Sequence, residues 1–288
     1  MSFLTDWITN WLHDLLVNGI MGNLGNLFTN VNNQVGEVAT NVGMTPGTFN
    51  PGVFALIKQI SETVVLPIAG LLLTFVMTWE LIQLIIERNN LHEIDTWIFF
   101  KWIFKTAIAV LLLSNTFNIV TGIFEVAQSA IQQAAGIISG STGVTSGMMA
   151  TLQAQLQAMD IGPLLGLWMQ SFLVQIIVLA LNIVVFVIVY GRMIEIYILT
   201  SLAPLPMATL TSRELGSMGQ NYLKSLLAVA FQGLLLLVCV AIYAILVQSI
   251  VTSGDPFGAI WATIGYTVLL CFTMFKTGTV AKSIFAAH

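Results

Sequence analysis

The chain has 288 residues, 57% of them apolar and only 8% charged, with a net charge of −4. A soluble domain carries about a quarter charged residues, so this chain cannot clothe itself for water and reads as an integral membrane protein. An acidic balance without a basic tail excludes tight nucleic-acid binding through counterion release.

The N-terminal stretch MSFLTDWITNWLHDLLVNGI places Leu4, Trp7, Ile8, Trp11, Leu12, Leu15 and Leu16 on one helical face. Thr5, Asp6, Thr9, Asn10, His13 and Asp14 lie elsewhere. This is an amphipathic helix whose tryptophans suit an interface, either with lipid or with another subunit. Trp7, Trp11, Leu12 and Leu15 are its candidate contact residues. It has no basic n-region or small-residue cleavage site, so no cleavable signal is expected. A Gly/Asn/Val-rich linker is expected from Gly22 to Gly52, ending in the turn signals of TPGTFNPG. Residues 1–60 are expected to form an extracytoplasmic N-terminal segment.

From residue 61 to 288 the composition is that of a polytopic membrane domain. Five stretches are long enough to cross a bilayer, which takes roughly 20 apolar residues. They are residues 62–86, 97–117, 164–190, 221–251 and 257–285. Between the second and third lies an outer helical insertion, 118–163. Within it Ile119, Val120, Ile123, Phe124, Ala127, Ile131, Ala134 and Ile138 recur at helical spacing opposite Glu125, Gln128, Gln132 and Gln133. SGSTGVTSG breaks that helix, and a short one restarts on Met149, Leu152, Leu156 and Met159. Such half-apolar faces need something to bury against. The fold class is therefore all-α: about five transmembrane helices plus extracytoplasmic amphipathic helices.

Lys and Arg set the orientation. There are nine, and eight fall on one side of the five-span plan: Arg88, Lys101, Lys105, Arg192, Arg213, Lys224, Lys276 and Lys282. Lys58 is the exception. The plan puts the N-terminus outside and the C-terminus in the cytoplasm of a multi-pass cell-membrane protein.

Ionisable or amide side chains inside spans are costly and mark candidate sites. Glu80 and Lys105 lie at similar depths from the first turn, which predicts an ion pair locking that hairpin. The alternative is that Lys101 and Lys105 snorkel independently to the interface. Gln175 and Asn182 are seven residues apart on one face, and Gln232 is the strongly polar group of the fourth span. They form either interhelical hydrogen bonds or a polar seam facing a pore. After Tyr190 comes GRMIEIYILTSLAPLPMATL, in which Arg192 belongs at the cytoplasmic interface and Glu195 lies one turn away. The run from Leu164 to Thr200 would be roughly 55 Å long as a helix, too long for one perpendicular crossing. Pro204 and Pro206 end it. Residues 191–220 are thus a broken cytoplasmic connector with an apolar half, a surface made to meet a partner or to form a constriction. Cys239 and Cys271 read as buried thiols, and the histidines have no metal-ligand spacing. No cofactor is implied, and no hydrolase, kinase or redox motif is present, so an enzyme is not expected.

Three stretches, GRMIEIYILTSLAPLPMATL, GQNYLKSLLAVAFQGLLLLV and GYTVLLCFTMFKTGTVAKSIF, together with the first hairpin, resemble TrbL-type proteins of conjugative elements from Gram-positive bacteria. The likeness covers about Met21 to the C-terminus. It implies a polytopic channel subunit of a type IV secretion system, assembled as a homo-oligomeric ring with a pentamer as the expected count. The implied partners are other copies of the chain, membrane lipids, secretion and coupling ATPases, other secretion-system subunits and a transient single-stranded DNA–relaxase cargo. Cyclic symmetry would turn single cations into rings. Arg192, Arg213 and Lys224 are the candidates at a cytoplasmic entrance, against the alternative that they only set topology. Competing functions are a secondary transporter or permease, for which paired Gly/Pro-broken spans are missing, and a membrane scaffold that docks a secretion ATPase.

Overall fold

The structure is a computed structural model that describes residues 2–86, 96–139, 146–251 and 256–287. Arg88 and most of the SGSTGVTSG break lie outside them. Among the described residues the regular elements are all helical. In chain order they are α1 (Ser2–Val42), α2 (Pro46–Phe49), α3 (Pro51–Ile60), a π-helical turn (Ser61–Val65), α4 (Leu66–Ile86), α5 (Thr96–Ser114), α6 (Thr116–Ser139), α7 (Ser146–Gln157), α8 (Ile161–Leu202), α9 (Pro204–Thr209), α10 (Gly216–Val251) and α11 (Pro256–Ile284).

Among the described residues five stretches are long and apolar enough to cross a membrane: Pro51–Ile86, Trp97–Ser114, Ile161–Leu202, Gly216–Ser249 and Ile260–Ile284. They match the five expected in the sequence, with changed ends. The first begins earlier, because α3, the π turn and α4 run on as one rod. The second stops at Ser114, where Asn115 interrupts the helix before α6.

The Gly22–Gly52 segment is not a linker along most of its length. α1 continues to Val42 because Leu24, Leu27, Val38 and Val42 are buried at helical spacing. That packing outweighs the poor helix propensity of Gly and Asn. The turn signals then act as caps. The Thr45 hydroxyl accepts from the Thr48 amide at 3.2 Å, and the Asn50 side chain accepts from the Val53 amide at 3.1 Å. Pro46 and Pro51 open the two following helices, where no amide donor is needed.

The chain forms two compact units. The first comprises Met1–Gly43, Ala130–Tyr190 and Gly233–Thr277. Its core joins Leu16, Ile20 and Leu27 of α1 to Leu152 and Leu156 of α7, Leu164, Leu167 and Leu181 of α8, and Leu236 of α10. α1 runs parallel to α8: His13 meets the Met159 carbonyl, Asn23 meets Ser171, and Gln34 meets Asn182. The close approach of the two is set by Gly19, where a Cβ would fall 2.6 Å from the Trp168 indole nitrogen. The amphipathic N-terminal face is divided. Leu16 is buried and Leu12 packs on the core, while Trp7, Ile8, Trp11 and Leu15 point outward. Thus Trp7, Trp11 and Leu15 keep an exposed face and Leu12 does not.

The second unit comprises Met44–Ser129, Gly191–Gln232 and Gly278–His288. One cluster packs Val120, Phe124 and Ala127 of α6 against Met193 and Ile196 of α8 and Val229 of α10. A second packs Ala69, Leu73 and Val76 of α4 against Ala109 of α5 and Ala208 of α9. The apolar half of the connector therefore packs within the same chain in part, Met193 and Ile196 on α6 and α10 and Ala208 of α9 on α4. The two prolines end α8, and Pro204 then opens the short α9.

Gly219 is where α10 leaves the connector. A Cβ there would lie 2.7 Å from the Pro206 carbonyl oxygen and 2.8 Å from Leu210 Cα, both backbone atoms that cannot swing aside. Gly219→Ala is expected to destabilise the protein by about 1–3 kcal/mol. Gly70→Ala, with nothing within 4 Å of the added carbon, is expected to be neutral or stabilising by about 0.5–1 kcal/mol. Melting temperatures in detergent check both, and an unchanged Gly219→Ala protein would refute the tight crossing.

Candidate polar sites along the membrane helices

In the second unit, α4 and α5 carry a buried carboxylate and an ammonium to the same place. Lys105 Nζ donates to Glu80 Oε1. The Glu80 side chain is 5% exposed, and Arg213 Nε stands 3.9 Å from the same oxygen. Its second oxygen, Oε2, is buried without a hydrogen-bond partner. The sequence brought Glu80 and Lys105 together by depth alone. It missed Arg213 as a third member, because the fold of the connector onto α4 is not written in any periodicity. It also missed Trp79, Gln83 and Glu214. Trp79 Nε1 donates to Glu214 Oε2 at 3.2 Å, and Gln83 Nε2 donates to Glu214 Oε1. The adjacent charges of Arg213 and Glu214 in an otherwise uncharged stretch were the available signal.

The connector residues separate into different settings. Arg192 is 5% exposed. Its Nε donates to the Val229 carbonyl and its Nη2 to the Ala230 carbonyl, each at 3.0 Å. A guanidinium so committed binds helix α10 to α8. Glu195, expected one turn from Arg192, accepts from Lys282 Nζ at 3.2 Å, which fixes the end of α11 to α8. Pro204 is buried at the start of α9, and Pro206 lies within that helix. Arg213 is exposed, and Lys224 is half-buried on α10. Two tyrosines that sequence reasoning passed over also hold this unit. Tyr197 donates to the Pro46 carbonyl at 2.8 Å, and Tyr222 donates to the Leu199 carbonyl at 3.0 Å. Gln232 is 8% exposed and faces Gly278, where a Cβ would come within 3.4 Å of its amide nitrogen.

Gln175 and Asn182 are in the first unit and turn toward α1. Gln175 Nε2 donates to the Asn23 carbonyl at 2.9 Å, Asn23 Nδ2 donates to the Ser171 hydroxyl at 2.6 Å, and Gln34 Nε2 donates to Asn182 Oδ1 at 2.6 Å. The seam on α8 is thus matched by a seam on α1. Gln232 belongs to the other unit.

Breaking a buried pair leaves one charge uncompensated, which costs about 3–5 kcal/mol. Lys105→Glu and Glu80→Lys are each expected to lower the melting temperature and the membrane level of the protein. The double exchange should recover part of the loss, with Arg213 opposing full recovery. Absence of any recovery would mean that the two side chains do not act as a pair.

A family model described as TrbL/VirB6 plasmid conjugal transfer like protein matches residues 31–204. Neither a curated protein nor a solved structure matches the chain. The matched region runs from the polar part of α1 through the first apolar hairpin and all of α8 to Pro204, more than half of the chain. A helical protein with five membrane-competent helices, matched over that length, belongs to the TrbL/VirB6 plasmid conjugal transfer family and is a membrane component of conjugal transfer by type IV secretion.

Proposed function

We propose that copies of this chain assemble as a closed ring in the cytoplasmic membrane, with five-fold symmetry as the expected count. Through this ring single-stranded DNA joined to its relaxase leaves the donor cell. The family match carries the reading. Two features of the chain support a ring. Large apolar side chains on α8 stay outward, among them Phe172, Ile176, Leu179 and Ile183. Polar residues lie on the helices beside them. The acidic net charge suits a conduit, which has to release a polyanion and not hold it.

In this reading the N-terminus is outside and the C-terminus is in the cytoplasm, near secretion and coupling ATPases. Arg213 and Lys224 are the cations at the cytoplasmic entrance. Arg192 takes a positioning role there, since its donors are used by the α10 carbonyls.

Imaging of single particles in lipid nanodiscs is expected to show a closed ring, and a monomer or dimer after gentle extraction would overturn the assembly. In donor cells, replacing both Arg213 and Lys224 by Gln is expected to lower transfer about tenfold at unchanged protein level, through loss of phosphate attraction. The single Lys224→Gln protein, which leaves the Glu80 pairing intact, should show part of the effect. Unchanged transfer in both would remove the entrance role.

A further inference from the structure

The first unit presents two outward faces of opposite character. On α8 the exposed positions include Phe172, Ile176, Leu179 and Ile183. On α1, the exposed positions between residues 18 and 40, among the side chains described, are Asn18, Gly22, Asn26, Thr29, Asn33, Gly36, Glu37 and Thr40. Apart from the neighbours Gly36 and Glu37 they recur every three or four residues and so form one stripe. None is large and apolar. From Asn18 to Thr40 the stripe is roughly 33 Å long. The bonds of α1 to Ser171 and Asn182 set it beside a membrane-competent helix and not in the wholly extracytoplasmic segment expected from the sequence. It runs beside the most apolar helix of the protein.

A second observation points to what wets this stripe. Between α1 and α8 lies an open cavity of about 270 Å³, lined by Asn30, Asn33, Glu37 and Asn41 on one side and by Asn182 and Tyr190 on the other. Gln34 reaches into the same cavity from a side chain 7% exposed. Its amide nitrogen is used by Asn182, but its Oε1 is buried without a partner. A buried acceptor in a polar cavity of this size calls for water. Amides and a carboxylate facing lipid instead would each cost free energy with nothing in return.

We propose that the stripe from Asn18 to Thr40 lines a water-filled path alongside α8, while the outward face of α8 is covered by lipid or by neighbouring copies. The lining is neutral except for Glu37, so it hydrates a passing charged polymer without gripping it. This deepens the export reading, and rests on it for the identity of the cargo but not for the water.

The test begins from a chain in which Cys239 and Cys271, the only cysteines, are replaced by Ala and transfer is retained. Single cysteines are placed on the stripe (Asn26→Cys, Asn33→Cys, Thr40→Cys) and on the outward face of α8 (Ile176→Cys, Leu179→Cys, Ile183→Cys). Donor cells and inverted membrane vesicles are treated with a membrane-impermeant cationic methanethiosulfonate. Stripe positions are expected to react at least about tenfold faster than α8 positions, since access of the thiol to water governs the rate. Stripe cysteines as slow as those of α8 would overturn the proposal and mean that another copy covers the stripe. Fast reaction at both faces would also overturn it, because the unit would then stand in open solvent with no walled path. The adduct at Asn33→Cys is further expected to lower DNA transfer about tenfold through steric and charge obstruction. Fast labelling with unchanged transfer would uphold the water-filled path and reject this path as the route of the exported strand.

Discussion

A polar group left unpaired in hydrocarbon costs several kcal/mol, and this chain has few charges with which to draw water in. Its backbone groups are used within long helices. Its hydroxyls are largely used by the same helices: Thr74 bonds back to Gly70, Thr78 to Thr74, Thr106 to Trp102, Thr200 to Ile196 and Thr267 to Thr263. Such groups are satisfied locally, and only some of them reach further: Thr267 also meets the Tyr243 hydroxyl and Thr106 the Met77 sulfur. The groups that no local carbonyl can satisfy are those that join distant segments: Glu80, Arg192, Gln34, Asn182 and Glu195. The tertiary bonds of each unit follow from this division.

The sequence made the apolar helices legible because hydropathy and length suffice to find them, and the Glu80–Lys105 approach because a hairpin fixes equal depth on its two arms. α1 was less legible. Its Gly and Asn content suggested a linker, while the information that makes it a helix, the burial of Leu24, Leu27, Val38 and Val42, lies in α8 and α7. The polar seam of Gln175 and Asn182 was visible, but its partners on α1 were hidden by the same misreading. The position of Arg192 followed a rule about charge and interface, yet a guanidinium can be buried where carbonyls of a second helix meet its fork. That geometry has no signature in composition.

The connector shows how proline shapes a tertiary contact as well as ending a helix. Pro204 and Pro206 end α8 and turn the chain into α9, whose Ala208 enters the cluster of Ala69, Leu73 and Val76. Arg213 and Glu214 then fall opposite Glu80, Trp79 and Gln83. A segment that sequence reasoning offered to an outside partner is half consumed by the chain itself. What stays exposed along the connector includes Ile194, Ile198 and Leu202 at the end of α8, Leu215, and Met218 at the start of α10.

The use of charge bears on how a polyanion could pass. Lys58, Lys105 and Lys282 each stand against an acid of the same chain, and Arg192 is held by carbonyls. These cations stabilise the subunit and offer little net field to a phosphate backbone. A tight site would slow release, and the rate of a conduit is limited by the deepest well along it. The polar face of α1, charged among its exposed positions from Asn18 to Thr40 only at Glu37, and the internal pairing of basic residues therefore work in the same direction. In the proposed conduit both act to keep the path wet and shallow in potential, so that directionality would have to come from an energy source outside this chain.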